Sequence, residues 1–131
     1  MKRTLRTLLL GILALALGAC QTFSKSGSVS DPAAPRLQRI LDSGELRVGL
    51  SGNQPPLNMK NKRGEIIGFE VDLVNALAHA MGLETRLIAR PFAELLPALA
   101  KGELDLVISG MTITPRRNAR VAFAGPYFIS G

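Results

Sequence analysis

The sequence predicts an α/β fold, a central parallel sheet with flanking helices, and three observations point to it. Segments of strand and helix character alternate between residues 45 and 108 in the order strand, helix, strand, helix, strand. Such alternation builds a parallel sheet with right-handed connections. Residues 104–108, Leu-Asp-Leu-Val-Ile, are almost continuously apolar, as a parallel strand covered on both faces requires. Gly44, Gly82 and Gly102 each follow a helical stretch and are placed to stop it.

The elements follow in order. Residues 36–43 predict a short helix with Leu37, Ile40 and Leu41 on one face. Residues 45–50 predict a strand, with Leu46, Val48 and Leu50 alternating. Residues 51–56, Ser-Gly-Asn-Gln-Pro-Pro, read as a loop, and residues 60–64 as a polar turn before the strand-like stretch 65–69. The strongest helix spans residues 70–81. Val71, Val74, Ala78 and Met81 recur at helical spacing, as do Leu73 and Leu77. Glu70 and Asp72 favour its start electrostatically and read as helix-start charges. Residues 84–89 form the next strand, with Leu83, Thr85, Leu87 and Ala89 on one side. A second helix over residues 92–101 offers Leu95, Leu96 and Leu99 to the core. Pro97 is expected early in that helix, where a missing N–H matters least.

The N-terminus carries an export pattern. Lys2, Arg3 and Arg6 precede an uncharged run from Leu8 to Ala19, twelve residues long, and Cys20 follows. A cationic start, a short apolar stretch and small residues before a cut site make a secretory signal. A span across the bilayer needs about 20 apolar residues, so a permanent span is the weaker reading. Without residues 1–19, thirteen basic residues face ten acidic ones over 112 residues, a net charge of +3 rather than the +6 of the whole chain. That length suits one small domain. Residues 20–35, rich in Ser, Gly, Pro and Ala, read as a flexible tether, although a terminus without a task has the same composition. No basic run with interleaved aromatics supports nucleic-acid binding. Cys20 is the single cysteine, which excludes an internal disulfide. His79 stands alone on a helix, so neither a metal site nor a cofactor is expected.

The candidate site follows the buried strand, in Ser109-Gly110-Met111-Thr112-Ile113-Thr114-Pro115-Arg116-Arg117. In open α/β sheets, ligands sit beyond the carboxyl ends of the strands. Gly110 permits close backbone approach. Thr112 offers a hydroxyl and an N–H. Thr114 is placed as an N-cap with Pro115 at the first helical position. Arg117 then falls in the first turn, where it reaches a carboxylate with a two-pronged pair. Read alone, Arg117 is better taken as a solvated neighbour of Arg116 and Arg120, and Phe92 is equally a core residue.

Two resemblances add to this. Leu17-Gly18-Ala19-Cys20 resembles the lipobox of bacterial lipoproteins, which implies cleavage before Cys20 and acylation of its thiol; an ordinary signal cut near residues 16–18 is the alternative. Leu46-Arg47-Val48-Gly49, Pro55-Pro56, Gly68-Phe69-Glu70-Val71-Asp72-Leu73, Leu96-Pro97-Ala98-Leu99, Gly102-Glu103-Leu104-Asp105, Ser109-Gly110-Met111-Thr112-Ile113-Thr114 and Pro126-Tyr127-Phe128 resemble, in this order, the amino-acid-type extracellular solute-binding proteins. The series covers nearly all of residues 37–131.

This second resemblance implies a type II periplasmic-binding fold, two lobes closing on a ligand, of which residues 36–131 hold mostly the first. It implies ligand contacts from Gly110 and Thr112 and capture of an α-carboxylate by Arg117. Ser109, Phe92 and Asn53 complete the candidate set, and Tyr127 is expected to be structural. It further implies an amino-acid ligand, an ABC permease as partner, a monomeric protein, and a periplasmic or cell-surface location with the lipid of Cys20 as membrane anchor. Leu57 and Gln54 depart from the aromatics common around the proline pair. Alternatives are a periplasmic dehydratase of cyclic aromatic precursors and the ligand-binding part of a sensor or lytic enzyme. A chain ending at Gly131 is expected to bind poorly, because one lobe gives one wall of the cleft.

Overall fold

A computed structural model describes residues 34–129 of the chain. Helix α1 (Ala34–Ser43) leads into β1 (Glu45–Leu50). Three short strands follow, β2 (Asn53–Gln54), β3 (Asn58–Lys60) and β4 (Ile66–Ile67). Then come α2 (Phe69–Ala80), β5 (Glu84–Ala89), α3 (Phe92–Ala100), β6 (Leu106–Val107) and α4 (Pro115–Asn118). The expected signal segment, Cys20, most of the expected tether, Ser130 and Gly131 lie outside the described residues. Among the described residues no helix is long and apolar enough to cross a membrane.

The main sheet is parallel, in the order β5-β1-β6. Val48 pairs with Leu87 on one side and with Leu106 on the other. The central strand buries both faces, and its alternation decides what each face meets. Leu46, Val48 and Leu50 join Val71, Val74 and Ala78 of α2, with Leu83 and Ile108, in one core. On the opposite face Gly49 leaves room for α3. A Cβ on Gly49 would stand 2.5 Å from Leu104 Cδ1 and 3.1 Å from Leu95 Cδ2. Leu95, Ala98 and Leu104 form that second core, with Ile88 and Val107 packed against it. Each fully buried Leu contributes roughly 2 kcal/mol relative to an exposed one.

Several expectations change here. Pro97 is the sixth residue of α3 and lies in its interior, so the carbonyl of Ala93 receives no N–H from it. The helix has only nine residues and Pro97 is on its exposed side. Only one apolar stripe of α2 is buried; Leu73 and Leu77 face outward. Of the α1 apolar residues, Ile40 alone packs on the core, while Leu37 and Leu41 are exposed. The segment read as a loop contains β2, which pairs with β3, and β3 pairs with β4, giving a small antiparallel sheet. The strand expected over residues 65–69 is cut to Ile66–Ile67. Phe69 and Glu70 instead begin α2, their N–H groups donating to the Pro56 and Leu57 carbonyls at 3.3 and 2.9 Å.

An ion pair closes the amino-terminal side of the sheet. Arg47 Nε and Nη2 donate to the two oxygens of Asp105 at 2.8 and 2.7 Å, and the Arg47 amide adds a bond at 3.1 Å. A further bond runs from Nη2 to the Gly102 carbonyl. Burial alone would push the Asp105 carboxyl up. The bonds and charge of Arg47 outweigh it and hold Asp105 below the usual carboxylate range. Arg47 is raised in turn, first by its hydrogen bond to Asp105.

Candidate ligand-binding site

The chain runs from β1 across one edge to β5, then back over β1 to β6. Its direction therefore reverses at the β1–β6 boundary. In open α/β sheets the crevice at that reversal, outside the strands' carboxyl ends, is where ligands bind. The loops that leave β1 and β6 meet there.

Two open grooves flank Thr112. One, about 690 Å³, is lined by Phe92, Leu96, Pro97, Met111, Thr112 and Arg117, with Arg116 and Arg120 at its side. The other, about 410 Å³, is lined by Leu57, Ser109, Gly110, Thr112, Phe123 and Tyr127 among others. Both lie in the size range of small-molecule sites. Neither is lined by an Asp, Glu or His.

Arg117 is placed by a cap that the sequence announces. Thr114, extended at φ −134°, accepts the Arg117 amide on its side chain at 3.3 Å, and Pro115 takes the first helical position. The Arg117 guanidinium then turns back over the groove. Its Nη1 donates to the Thr112 carbonyl at 2.8 Å and its Cζ stands 5.6 Å from the Phe92 ring centroid. A guanidinium over an aromatic face is attracted by the ring quadrupole. Its remaining N–H donors form a planar fork suited to a carboxylate. Phe92, Thr112 and Arg117, twenty-five residues apart at the extremes, thus share one groove.

Gly110 lies in the second groove, with φ +54°. A Cβ there would meet Gln54 Oε1 at 3.2 Å and Leu57 Cδ1 at 3.3 Å. Its N–H is not turned to open space. It donates to Glu70 Oε1 at 2.7 Å and to Tyr127 Oη at 3.1 Å.

Two candidate residues engage other parts of the protein. Ser109 is fully buried. Its Oγ accepts the Ser51 amide at 3.0 Å and lies 2.9 Å from Ser51 Oγ and 3.0 Å from Gln54 Oε1. Its side chain braces the two loops and is spent within the protein. Asn53 is exposed, pairs with Met59 in the small sheet and lines neither groove. Successive strand residues point to opposite faces, so Gln54, not Asn53, turns toward Ser109.

The largest departure is Glu70. Read only as a helix-start charge, it is at the helix start but fully buried. Its carboxylate accepts hydrogen bonds from Asn58 Nδ2, the Gly110 amide and the Tyr127 hydroxyl. Asn58, equally buried, accepts the Gly52 amide on Oδ1 at 2.6 Å. The signal for Glu70 was present in the spacing: it precedes Val74 by four residues and Ala78 by eight, on the buried face. Asn58 had no comparable signal. Tyr127 lines the second groove and bonds to Glu70, and its phenol is raised above its ordinary range by desolvation first, then by the bond to Glu70 and its charge. Asp72 and His79 are exposed, and no cluster of metal-ligating side chains occurs among the described residues.

Comparisons with known proteins agree with one another. The sequence profile of the bacterial extracellular solute-binding proteins, family 3, matches residues 46–131. The L-cystine-binding protein TcyJ of Escherichia coli is 33% identical over 126 residues, 96% of this chain and 46% of the relative. The L-arginine-binding protein of Pseudomonas aeruginosa is 32% identical, over 92% of this chain and 40% of the relative. A cyclohexadienyl dehydratase of the same organism is 31% identical over 86% of this chain and 42% of its own length. Among solved structures, the arginine-bound form of domain 1 of ArgBP from T. maritima matches with a TM-score of 0.67 and 42% identity, covering 69% of this chain and 71% of that one. This chain spans less than half the length of the curated relatives it matches.

Proposed function

The chain belongs to the bacterial extracellular solute-binding proteins, family 3, and from that premise we propose that it is the first lobe of a substrate-binding protein for an amino acid, serving an ABC uptake system. The single observation that carries this reading is the shared groove of Phe92, Thr112 and Arg117. There a guanidinium is held by a carbonyl and an aromatic ring at the wall of an open groove. In this reading Arg117 takes the ligand α-carboxylate and Thr112 adds its hydroxyl. Phe92 forms the apolar wall, and Gly110 marks the adjoining edge.

Three arginines and no carboxylate line the groove, which favours the carboxylate end of a ligand there. The partner for the α-amino group is then to be supplied by the rest of the protein. Relatives named for cystine and arginine support the ligand class. An arginine-bound isolated domain 1 in a relative supports binding by one lobe, against the expectation that one wall of the cleft binds poorly. The reading further places the protein in the periplasm or at the cell surface, tethered through residues 20–35 and acylated at Cys20, with a permease as its partner.

The test is calorimetry of the full-length protein with a panel of L-amino acids that includes arginine, cystine and histidine. One of them is expected to bind, and Arg117→Ala is expected to weaken it roughly thirtyfold or more, the effect of losing a charge-assisted pair. Unchanged affinity in that variant would remove Arg117 from the site. The dehydratase relative motivates a second reading, an enzyme on the same fold. Turnover of a cyclohexadienyl acid by the full-length protein is the result that would favour it.

A further inference from the structure

We propose that Glu70 is a positioning residue of the ligand site: its carboxylate fixes the Gly110 amide and ties it to Tyr127, so that the edge of the site and segment 126–129 move as one. The inference rests on the reading of this crevice as a ligand site.

Glu70 is fully buried at the start of α2, and no Lys or Arg among the described residues pairs with it. All its partners are neutral donors, Asn58 at the start of β3 and Gly110 and Tyr127 in loops. Oε1 receives the Gly110 amide and the Tyr127 hydroxyl, and Oε2 receives Asn58 Nδ2. Because the Gly110 amide also reaches Tyr127 Oη, the three groups close a triangle. Asn58 extends the network to the loop after β1, through the Gly52 amide and the Ser51 hydroxyl on its Oδ1. One carboxylate thus joins the loops leaving β1 and β6, the two that frame the crevice, to the segment carrying Tyr127.

A carboxylate has only acceptors, so every donor aimed at it is fixed in direction. Gly110 is also boxed in by Gln54 and Leu57. A ligand that draws on the Gly110 N–H must therefore compete with Glu70 and shift Tyr127. The chemistry predicts a rescue. In Glu70→Gln the new NH₂ group faces the NH₂ of Asn58, two donors against each other. Adding Asn58→Asp restores a donor–acceptor pair there while losing the longer bond from Asn58 Nδ2 to Gln54 Oε1 at 3.4 Å, so the rescue is partial; the carbonyl oxygen of the substituted amide side chain still accepts from Gly110 and Tyr127.

Tyr127 is the chain's single tyrosine and the chain has no tryptophan, so its absorbance reports this site alone. The experiment uses the full-length protein, with any further tyrosine or tryptophan replaced by phenylalanine. It compares wild type, Glu70→Gln and the double variant with Asn58→Asp. Absorbance titration of the phenol is expected to move down in pH in Glu70→Gln. Calorimetry with the best-binding amino acid of the panel is expected to show a roughly tenfold weakening in Glu70→Gln, the effect of one misplaced buried donor, and partial recovery in the double variant. If Glu70→Gln does not fold, Tyr127→Phe, which removes the hydroxyl alone, is expected to weaken binding roughly threefold. Unchanged affinity in the folded Glu70→Gln variant, or in Tyr127→Phe, overturns the inference. So does a double variant no better than the single one, or an unmoved phenol titration. Absence of binding in the wild type instead removes the reading of the site, and the inference with it.

Discussion

Two buried carboxylates mark the two ends of the main sheet, and they are satisfied in different ways. Asp105, at the amino end of β6, is matched by Arg47 with a two-pronged ion pair. Glu70, near the carboxyl ends of the strands, has only neutral donors, two of which belong to the loop and segment at the candidate site. A buried charge is expensive unless it is paired or well hydrogen-bonded. The first solution locks two strands together and touches no groove residue of the candidate site. The second places its donors where a ligand is proposed to act. The comparison separates an end of the sheet locked by an ion pair from the end where open α/β sheets place their ligands and where the site is proposed.

The largest effect that would break this comparison is at the ion-paired end. Asp105→Ala strands the Arg47 guanidinium and is expected to reduce stability by about 3 kcal/mol, read by urea unfolding. Ligand affinity of the folded variant is expected to stay within about twofold, since additivity holds for distant sites. A large loss of affinity would erase the distinction between the ends. Between them, Gly49→Ala forces a methyl into Leu104 and Leu95. It is expected to destabilise by about 2 kcal/mol, with the Tyr127 phenol titration unmoved. Smaller still, Tyr127→Phe is expected to cost about 1 kcal/mol or less, the net worth of an ordinary hydrogen bond.

The two ends are also expected to respond to pH in opposite directions. Asp105 is depressed in the folded protein, so its contribution is present above an unfolded carboxylate value of about 3.9. It is lost as pH falls through the folded value, and Asp105→Asn is expected to flatten that acid-side loss. Tyr127 is raised, so its contribution is present below about 10 and lost as pH rises through the folded value. Thermal melts across pH in wild type, Asp105→Asn and Tyr127→Phe check both limbs. An alkaline limb unchanged in Tyr127→Phe would detach Tyr127 from the stability of the carboxyl end.

The order of the three main-sheet strands and the two helices between them, the bounds of β1 and β5, and the Thr114 cap were legible in the sequence. These depend on local periodicity and on contacts a few residues apart, and short-range pattern carries them. The tertiary structure alone decided which α2 stripe is buried and that Gln54 rather than Asn53 turns inward. It also decided that Ser109 is spent on Ser51, and that Phe92 stands beneath Arg117. Glu70 shows the reason most plainly. Its own segment allowed either a solvated helix-start charge or a buried hub. The outcome was settled by donors 12, 40 and 57 residues away, which only the folded sheet brings to one carboxylate.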